Sequence, residues 1–140
     1  MGKFTPEEIA YLQSQHYGRL ATVSQHGELH VVPVTFRYHP EHESIDIGGE
    51  NLAQTKKYRD AVRHGRVAFV VDDVVPPGTM RMIEIRGTVE GLPVGGEEMR
   101  ESFSPEMLRI TPTRIISFGL SSEGVQPGQA RAPVSSRTVG

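Results

Sequence analysis

Polar and apolar positions change period several times along this chain, and each change marks an element. Thr5-Pro6-Glu7-Glu8 reads as a helix start, with Thr5 as N-cap, Pro6 at the first helical position and Glu8 completing a capping box. Ile9, Tyr11 and Leu12 give this helix a short apolar face, and it ends before Gly18. From Arg19 the period drops to two. Residues 20–24, a turn at Gln25-His26-Gly27-Glu28, residues 29–38, a second turn at 39–43 and the run Ser44-Ile45-Asp46-Ile47 read as a three-strand meander.

Gly48-Gly49-Glu50 ends that run. Asn51, with Gln54 three residues later, predicts a helix over 52–64 that turns Leu52, Tyr58, Ala61 and Val62 to the core and closes at Gly65. Arg66-Val67-Ala68-Phe69-Val70-Val71 is continuously apolar after its first residue, which predicts a strand buried on both faces. Val74-Val75-Pro76-Pro77-Gly78 reads as a rigid loop. Residues 81–90 alternate, with Ile83, Ile85 and Val89 on one face. Residues 97–108 predict a short helix carrying Met99, Phe103 and Met107 on one side, and 114–118 a last strand.

Six or seven short strands with two or three short helices predict a mainly β, α+β fold: a small antiparallel barrel. The count of 15 glycines and 10 prolines in 140 residues supports a turn-rich chain. A barrel this small is filled by its own side chains, so a ligand belongs on its outside, in a groove or at a subunit interface. Residues 1–120 form the barrel domain. Residues 121–140 are a polar tail of Ser, Gly, Pro, Gln and Arg with little to bury, ordered only by contact with the body or a partner.

Charge and composition narrow the function. The net charge of −2 and the absence of tryptophan argue against a nucleic-acid partner. No apolar run approaches the roughly 20 residues of a membrane span, and the acidic N-terminus does not read as a signal peptide, so the expected location is the cytoplasm. There is no cysteine, which excludes thiol chemistry, disulfides and Cys-ligated metals. His39-x-x-His42 and the pair His26 and His30 have metal-ligand residue types, but they fall in or beside turns, and no metal site is expected. No nucleophile elbow, phosphate-binding P-loop or dinucleotide fingerprint occurs, so no side chain is assigned as a catalytic nucleophile.

Two segments hold candidate chemistry. Gly48 and Gly49 permit close backbone approach, and the helix after them opens with Thr55, Lys56, Lys57 and Arg59. Cations in a first turn oppose the helix dipole unless an anion is present. Two readings stand: a phosphate or carboxylate site, and a solvated basic helix face. The second segment is Val31-Val32-Pro33-Val34-Thr35, where Pro33 requires an edge or a bulge. Such an edge could receive a flat heterocycle, or be an ordinary edge protected by proline.

Taken in order, Gly18-Arg19-Leu20-Ala21-Thr22-Val23, the His26-Gly27 turn, Val32-Pro33-Val34, Ile45-Asp46-Ile47-Gly48-Gly49, Thr55-Lys56-Lys57, Arg66 to Asp73, Ile83-Glu84-Ile85-Arg86-Gly87 and Ile110-Thr111-Pro112-Thr113-Arg114-Ile115 resemble the pyridoxamine-phosphate-oxidase-like split β-barrel family. The likeness covers residues 5–120. It points to the actinobacterial branch that uses the deazaflavin coenzyme F420, in the group that contains the dehydrotetracycline reductases.

The resemblance implies a homodimer with each cofactor in a groove between subunits. Lys57 falls on the family's phosphate-binding lysine, with Thr55, Lys56 and Arg59 beside it. His30, Val32, Pro33, Val34 and Thr35 fall on the strand along the cofactor ring, and Gly48 and Gly49 on the strand end beneath it. The family's FMN users carry an arginine-rich phosphate pattern that is absent here, which favours coenzyme F420 with FMN as the alternative. The implied reaction is hydride transfer to an unsaturated or quinone-like small molecule, with His30 and Tyr38 the proton donors suggested by residue type. A non-catalytic flavin- or haem-binding module is the reading from another class. Arg131 and Arg137 in the tail are expected at the dimer contact or the anionic cofactor.

Overall fold

The structure, a computed structural model, describes residues 2–120 and 134–140. Helices are α1 (Pro6–Ser14), α2 (Lys56–His64) and α3 (Gly96–Met99). Strands are β1 (Tyr17–Val23), β2 (Leu29–His39), β3 (Ser44–Gly48), β4 (Arg66–Val75), β5 (Thr79–Leu92), β6 (Met107–Phe118) and β7 (Val134–Thr138). The sheet runs β3-β2-β1-β4-β5-β6-β7, and β3 also pairs with β6, so six strands close into an antiparallel barrel. Strand β5 takes one whole edge of β6. The other edge is shared: residues 108–110 hold β3 and residues 114–118 hold β7.

Alternation fills the interior. Leu20, Phe36, Ile45, Ile47, Phe69, Ile83, Ile85 and Ile115 are all buried, and Phe36 meets Phe69 edge-on at 5.2 Å. Gly87 marks the register shift of β5, because a Cβ there would stand 2.2 Å from the Thr111 carbonyl oxygen. Helix α1 packs at one end of the barrel and α2 at the other, where Arg63 donates to the Val23 carbonyl. Among the described residues, no helix is long and apolar enough to cross a membrane.

Three expected elements differ. The predicted helix over 52–64 is split into a 3-10 turn (Leu52–Gln54) and α2, because Asn51 adopts a left-handed φ of 51° and makes no cap. Thr55 caps α2 instead, accepting from the Tyr58 N–H. The helix expected over 97–108 stops at Met99; Pro105 cannot sit inside a helix, and Met107 already pairs with Leu92. Strand β4 is buried on one face only, with Val67, Phe69 and Val71 inward. Beyond Leu120, β7 adds a strand that composition does not predict, while Arg131 lies outside the described residues.

Two buried carboxylates fasten the barrel. Asp46 of β3 is fully buried and accepts two N–H bonds from Arg109 of β6 at 2.9 and 3.0 Å, one from Arg37 of β2 at 3.3 Å and the Ser44 hydroxyl at 3.0 Å. Glu8 completes the predicted capping box with Thr5, accepts the Ser117 hydroxyl at 2.6 Å, and takes both Arg137 nitrogens. Burial pushes both carboxyls up, but these partners outweigh it and hold both below the usual carboxylate range.

Removing one partner of a buried pair strands the other charge. Arg137→Ala is expected to lower unfolding stability by about 2 kcal/mol at pH 7, less than for a fully buried pair because Arg137 is 29% exposed. Because the folded value of Glu8 is depressed, its contribution is present above the ordinary glutamate value of 4.5 and is lost as pH falls through the folded value. Urea titrations from pH 7 to 3 should show that loss in the parent and a flatter profile in the variant. Equal stabilities at pH 7 would contradict the role of Arg137.

Candidate cofactor site at the open edge of β2

The barrel is incompletely zipped. Strand β3 pairs with residues 35–39 of β2, so residues 29–34 have β1 on one side and no strand on the other among the described residues. The Phe36 N–H donates to the His16 carbonyl at 3.1 Å, which turns the backbone groups of even-numbered β2 residues toward β1. Odd-numbered residues, including Pro33, therefore face the open edge. Proline is tolerated there because its missing N–H had no ladder partner to meet. Val34 is buried in the core, Val32 packs against it, and Leu29 and Val31 stand 82% and 67% exposed.

His30 lies on the same open half, and its buried Nε2 has no hydrogen-bond partner. Tyr38 lies on the covered half, with its ring edge-on to Phe4 at 5.3 Å. The two expected proton donors are thus separated, and only His30 stands near the open edge. His39 and His42 approach with ring centroids 4.7 Å apart, and no group of three or more metal-ligating side chains converges among the described residues.

Thr35 pairs with Gly48, and from there the chain runs directly through Gly49 and the 3-10 turn into α2. A Cβ on Gly48 would lie 2.8 Å from Phe103 and 3.0 Å from the Met99 sulfur. The Gly49 carbonyl accepts the N–H and the hydroxyl of Ser104. In this chain these glycines admit the 99–104 segment as close neighbour.

The cations of α2 are sorted by one acid. Asp60, buried at the helix's inner side, accepts Lys56 at 2.9 Å and Arg63 at 3.0 Å. Arg59 donates to the Gln54 carbonyl at 2.7 Å. Lys57 is half-buried, has no ion-pair partner among the described residues, and has its pKa lowered by burial. A half-buried ammonium at the first turn of a helix with no acid in that turn favours an anion. Asp60 is the functional neighbour that the sequence reading overlooked. Its spacing, four residues after Lys56 and three before Arg63, was the available signal.

The outer face of β1, β2 and β4 carries an apolar patch beside the Arg19–Asp72 ion pair. Val31, Ala21 and Ala68 form one cross-strand row, and Pro33, Arg19 and Val70 the next. Here a shallow groove of about 310 Å³ is lined by Arg19, Ala21, Val31, Ala68, Phe69, Val70 and Glu84.

No family model matches the chain. It is 46% identical over 122 residues to the 5a,11a-dehydrotetracycline/5a,11a-dehydrooxytetracycline reductase of Streptomyces rimosus, covering 86% of each chain. Among solved structures it resembles a pyridoxamine 5'-phosphate oxidase-related, FMN-binding protein from Nostoc punctiforme, with a TM-score of 0.62, 11% identity, and coverage of 99% of this chain and 98% of that one. The chain belongs to the pyridoxamine-phosphate-oxidase-like split β-barrel family. Two further split barrels are the FAD-binding protein of Mycobacterium smegmatis, at TM-score 0.60, 19% identity and coverage of 81% and 93%, and a haem-binding protein of the same organism, at 0.64, 14%, 99% and 60%. These distant likenesses carry the split-barrel fold.

A half-buried cation with no ion-pair partner among the described residues carries an uncompensated desolvation cost. Lys57→Met is expected to raise stability by about 0.5–1 kcal/mol in ligand-free protein. A melting temperature that falls instead would mean that Lys57 has a partner in the folded chain.

Proposed function

We propose that this chain is an oxidoreductase that uses coenzyme F420 to reduce a carbon–carbon double bond in a fused-ring polyketide of the dehydrotetracycline type. The observation that carries the reading is Lys57, a half-buried cation at the first turn of α2 with no ion-pair partner among the described residues. The 46% identical reductase supports the reaction class. The residues present fit an anionic, planar cofactor. Lys57 and the first-turn N–H groups of α2 that the Thr55 cap does not take would hold its phosphate, and the open edge at Val31 and Pro33 would meet the edge of its ring. When bound, a reduced deazaflavin supplies the hydride.

The protein's own part is positioning and exclusion of water. Asp60 draws Lys56 and Arg63 to itself, which leaves Lys57 as the first-turn cation for the phosphate. The patch of Val31, Ala21, Ala68, Pro33 and Val70, with Arg19 held by Asp72 beside it, supports a homodimer in which a second copy covers this face and gives the groove its other wall. A cysteine-free chain acting on a soluble coenzyme supports a cytoplasmic location.

Titrating purified protein with coenzyme F420, followed by the cofactor's fluorescence, should give saturable binding, and Lys57→Ala should weaken it by about 1.5–3 kcal/mol. A tightly held yellow chromophore after purification would overturn F420 in favour of FMN, and a Soret band would favour the haem-binding reading. In sedimentation the parent should be a dimer and Val31→Lys a monomer, because a charge there would be buried at the contact. A monomeric parent at micromolar concentration would refute the shared groove.

A further inference from the structure

Residues 93–106 leave the sheet after Leu92 and rejoin it at Met107, and those two residues are cross-strand partners. A two-residue turn could join such antiparallel neighbours, yet here the chain makes a closed loop. The loop is folded on itself, with the Gly96 N–H donating to the Pro105 carbonyl at 2.8 Å. It is also anchored outward. Glu98 reaches Arg37 at 3.4 Å, and Phe103 and Met99 lie against Gly48.

Ser104 makes the most specific of these contacts. Its hydroxyl accepts the Leu52 N–H at 3.1 Å and donates to the Gly49 carbonyl at 3.0 Å. Its own N–H donates to that same carbonyl at 3.1 Å. Gly49 and Leu52 bracket the turn that carries the chain from β3 toward α2, and Asn51 between them makes no cap. From Leu52 the bonding continues. Its carbonyl accepts the Thr55 hydroxyl at 2.6 Å and the Thr55 N–H at 3.0 Å, and the Thr55 side-chain oxygen accepts the Tyr58 N–H at 3.4 Å. A line of hydrogen bonds therefore runs from Ser104 to the first turn of α2, where Lys57 stands. The one hydroxyl proton of Thr55 goes to Leu52, so this side chain fixes the helix start and has no donor left for an anion.

We propose that Ser104 is a positioning residue for the anion site: it pins the joint between β3 and α2, and through Leu52 and Thr55 it aims Lys57 and the first-turn N–H groups. The inference rests on the function proposed above. Binding groups keep their geometry only when the residues that support them are locked by packing and hydrogen bonds. Loosening such a support costs affinity for the ligand group it aims, here the phosphate, and leaves contacts made elsewhere intact.

The test measures, by fluorescence, binding of coenzyme F420 and of the same deazaflavin without its phosphate. Ser104→Ala should weaken F420 binding about fivefold, the scale of one net hydrogen bond, and leave the phosphate-free deazaflavin at parent affinity. Ser104→Thr keeps the hydroxyl and should restore F420 binding. In a Lys57→Ala background, Ser104→Ala should add little, because the group it aims is gone. A merely structural role would lower the melting temperature without separating the two ligands. Equal loss of both ligands, or an unchanged F420 affinity, overturns the proposal. Thr55→Val cuts the next bond of the line and carries the same comparison should Ser104→Ala not fold. If the parent binds no F420, the proposed function fails, and Ser104 is judged on inorganic phosphate, through the rise in melting temperature over chloride at equal ionic strength. A rise in the parent that Ser104→Ala removes upholds the proposal; an equal rise in both, or none in the parent, ends it.

Discussion

The barrel exists as a closed object because of one carboxylate at its seam. Asp46 is the middle member of a cross-strand row, Arg37–Asp46–Arg109, that crosses from β2 through β3 to β6. Only three residue pairs join β3 to β6, so backbone bonds alone make a thin closure. The charged row fixes its register. A slip of one residue would turn Asp46 into the interior and Ile45 and Ile47 outward, exchanging a paired charge for an unpaired one among aliphatic side chains. The outer side of the row is covered by the segment around α3, where Glu98 reaches Arg37 at 3.4 Å.

The site follows from where this seam stops. Strand β3 holds β2 and β6 through the same residues 45–47 and ends at Gly48, opposite Thr35; the chain then turns away, which is what uncovers residues 29–34. The chain that departs is the same chain that forms the 3-10 turn and the start of α2, so an open edge and a helix N-terminus are produced by one excursion. Phe103 and Met99 then fill the space beside Gly48, which keeps that excursion rigid.

Local features were legible in the sequence and distant ones were not. The Thr5–Glu8 capping box and the Pro33 edge announce themselves because their physics acts within a few residues. The loss of α2's first turn was harder, since Asn51 and Thr55 are both good caps and only the left-handed backbone at Asn51 decides between them. The helix expected over 97–108 failed on Pro105, a signal that was present and outweighed by apolar spacing. Strand β7 was invisible: its sequence is polar, and it is held by a backbone ladder and by Arg137 on Glu8, 129 residues away. Lys57 stood out by type, but that it has no ion-pair partner among the described residues depends on Asp60, and only the folded helix shows which cations Asp60 takes.

The Arg137–Glu8 bond also makes the seating of α1 conditional on a segment far along the chain, since the two residues lie 129 positions apart. While β7 is unpaired, Glu8 has the neutral donors Thr5 and Ser117 but lacks the Arg137 cation, so docking α1 would bury an uncompensated charge. During refolding the helix can form from its own capping box, but its place on the barrel is secured only when β7 zips onto β6, so one end of the barrel is closed by two distant segments arriving together.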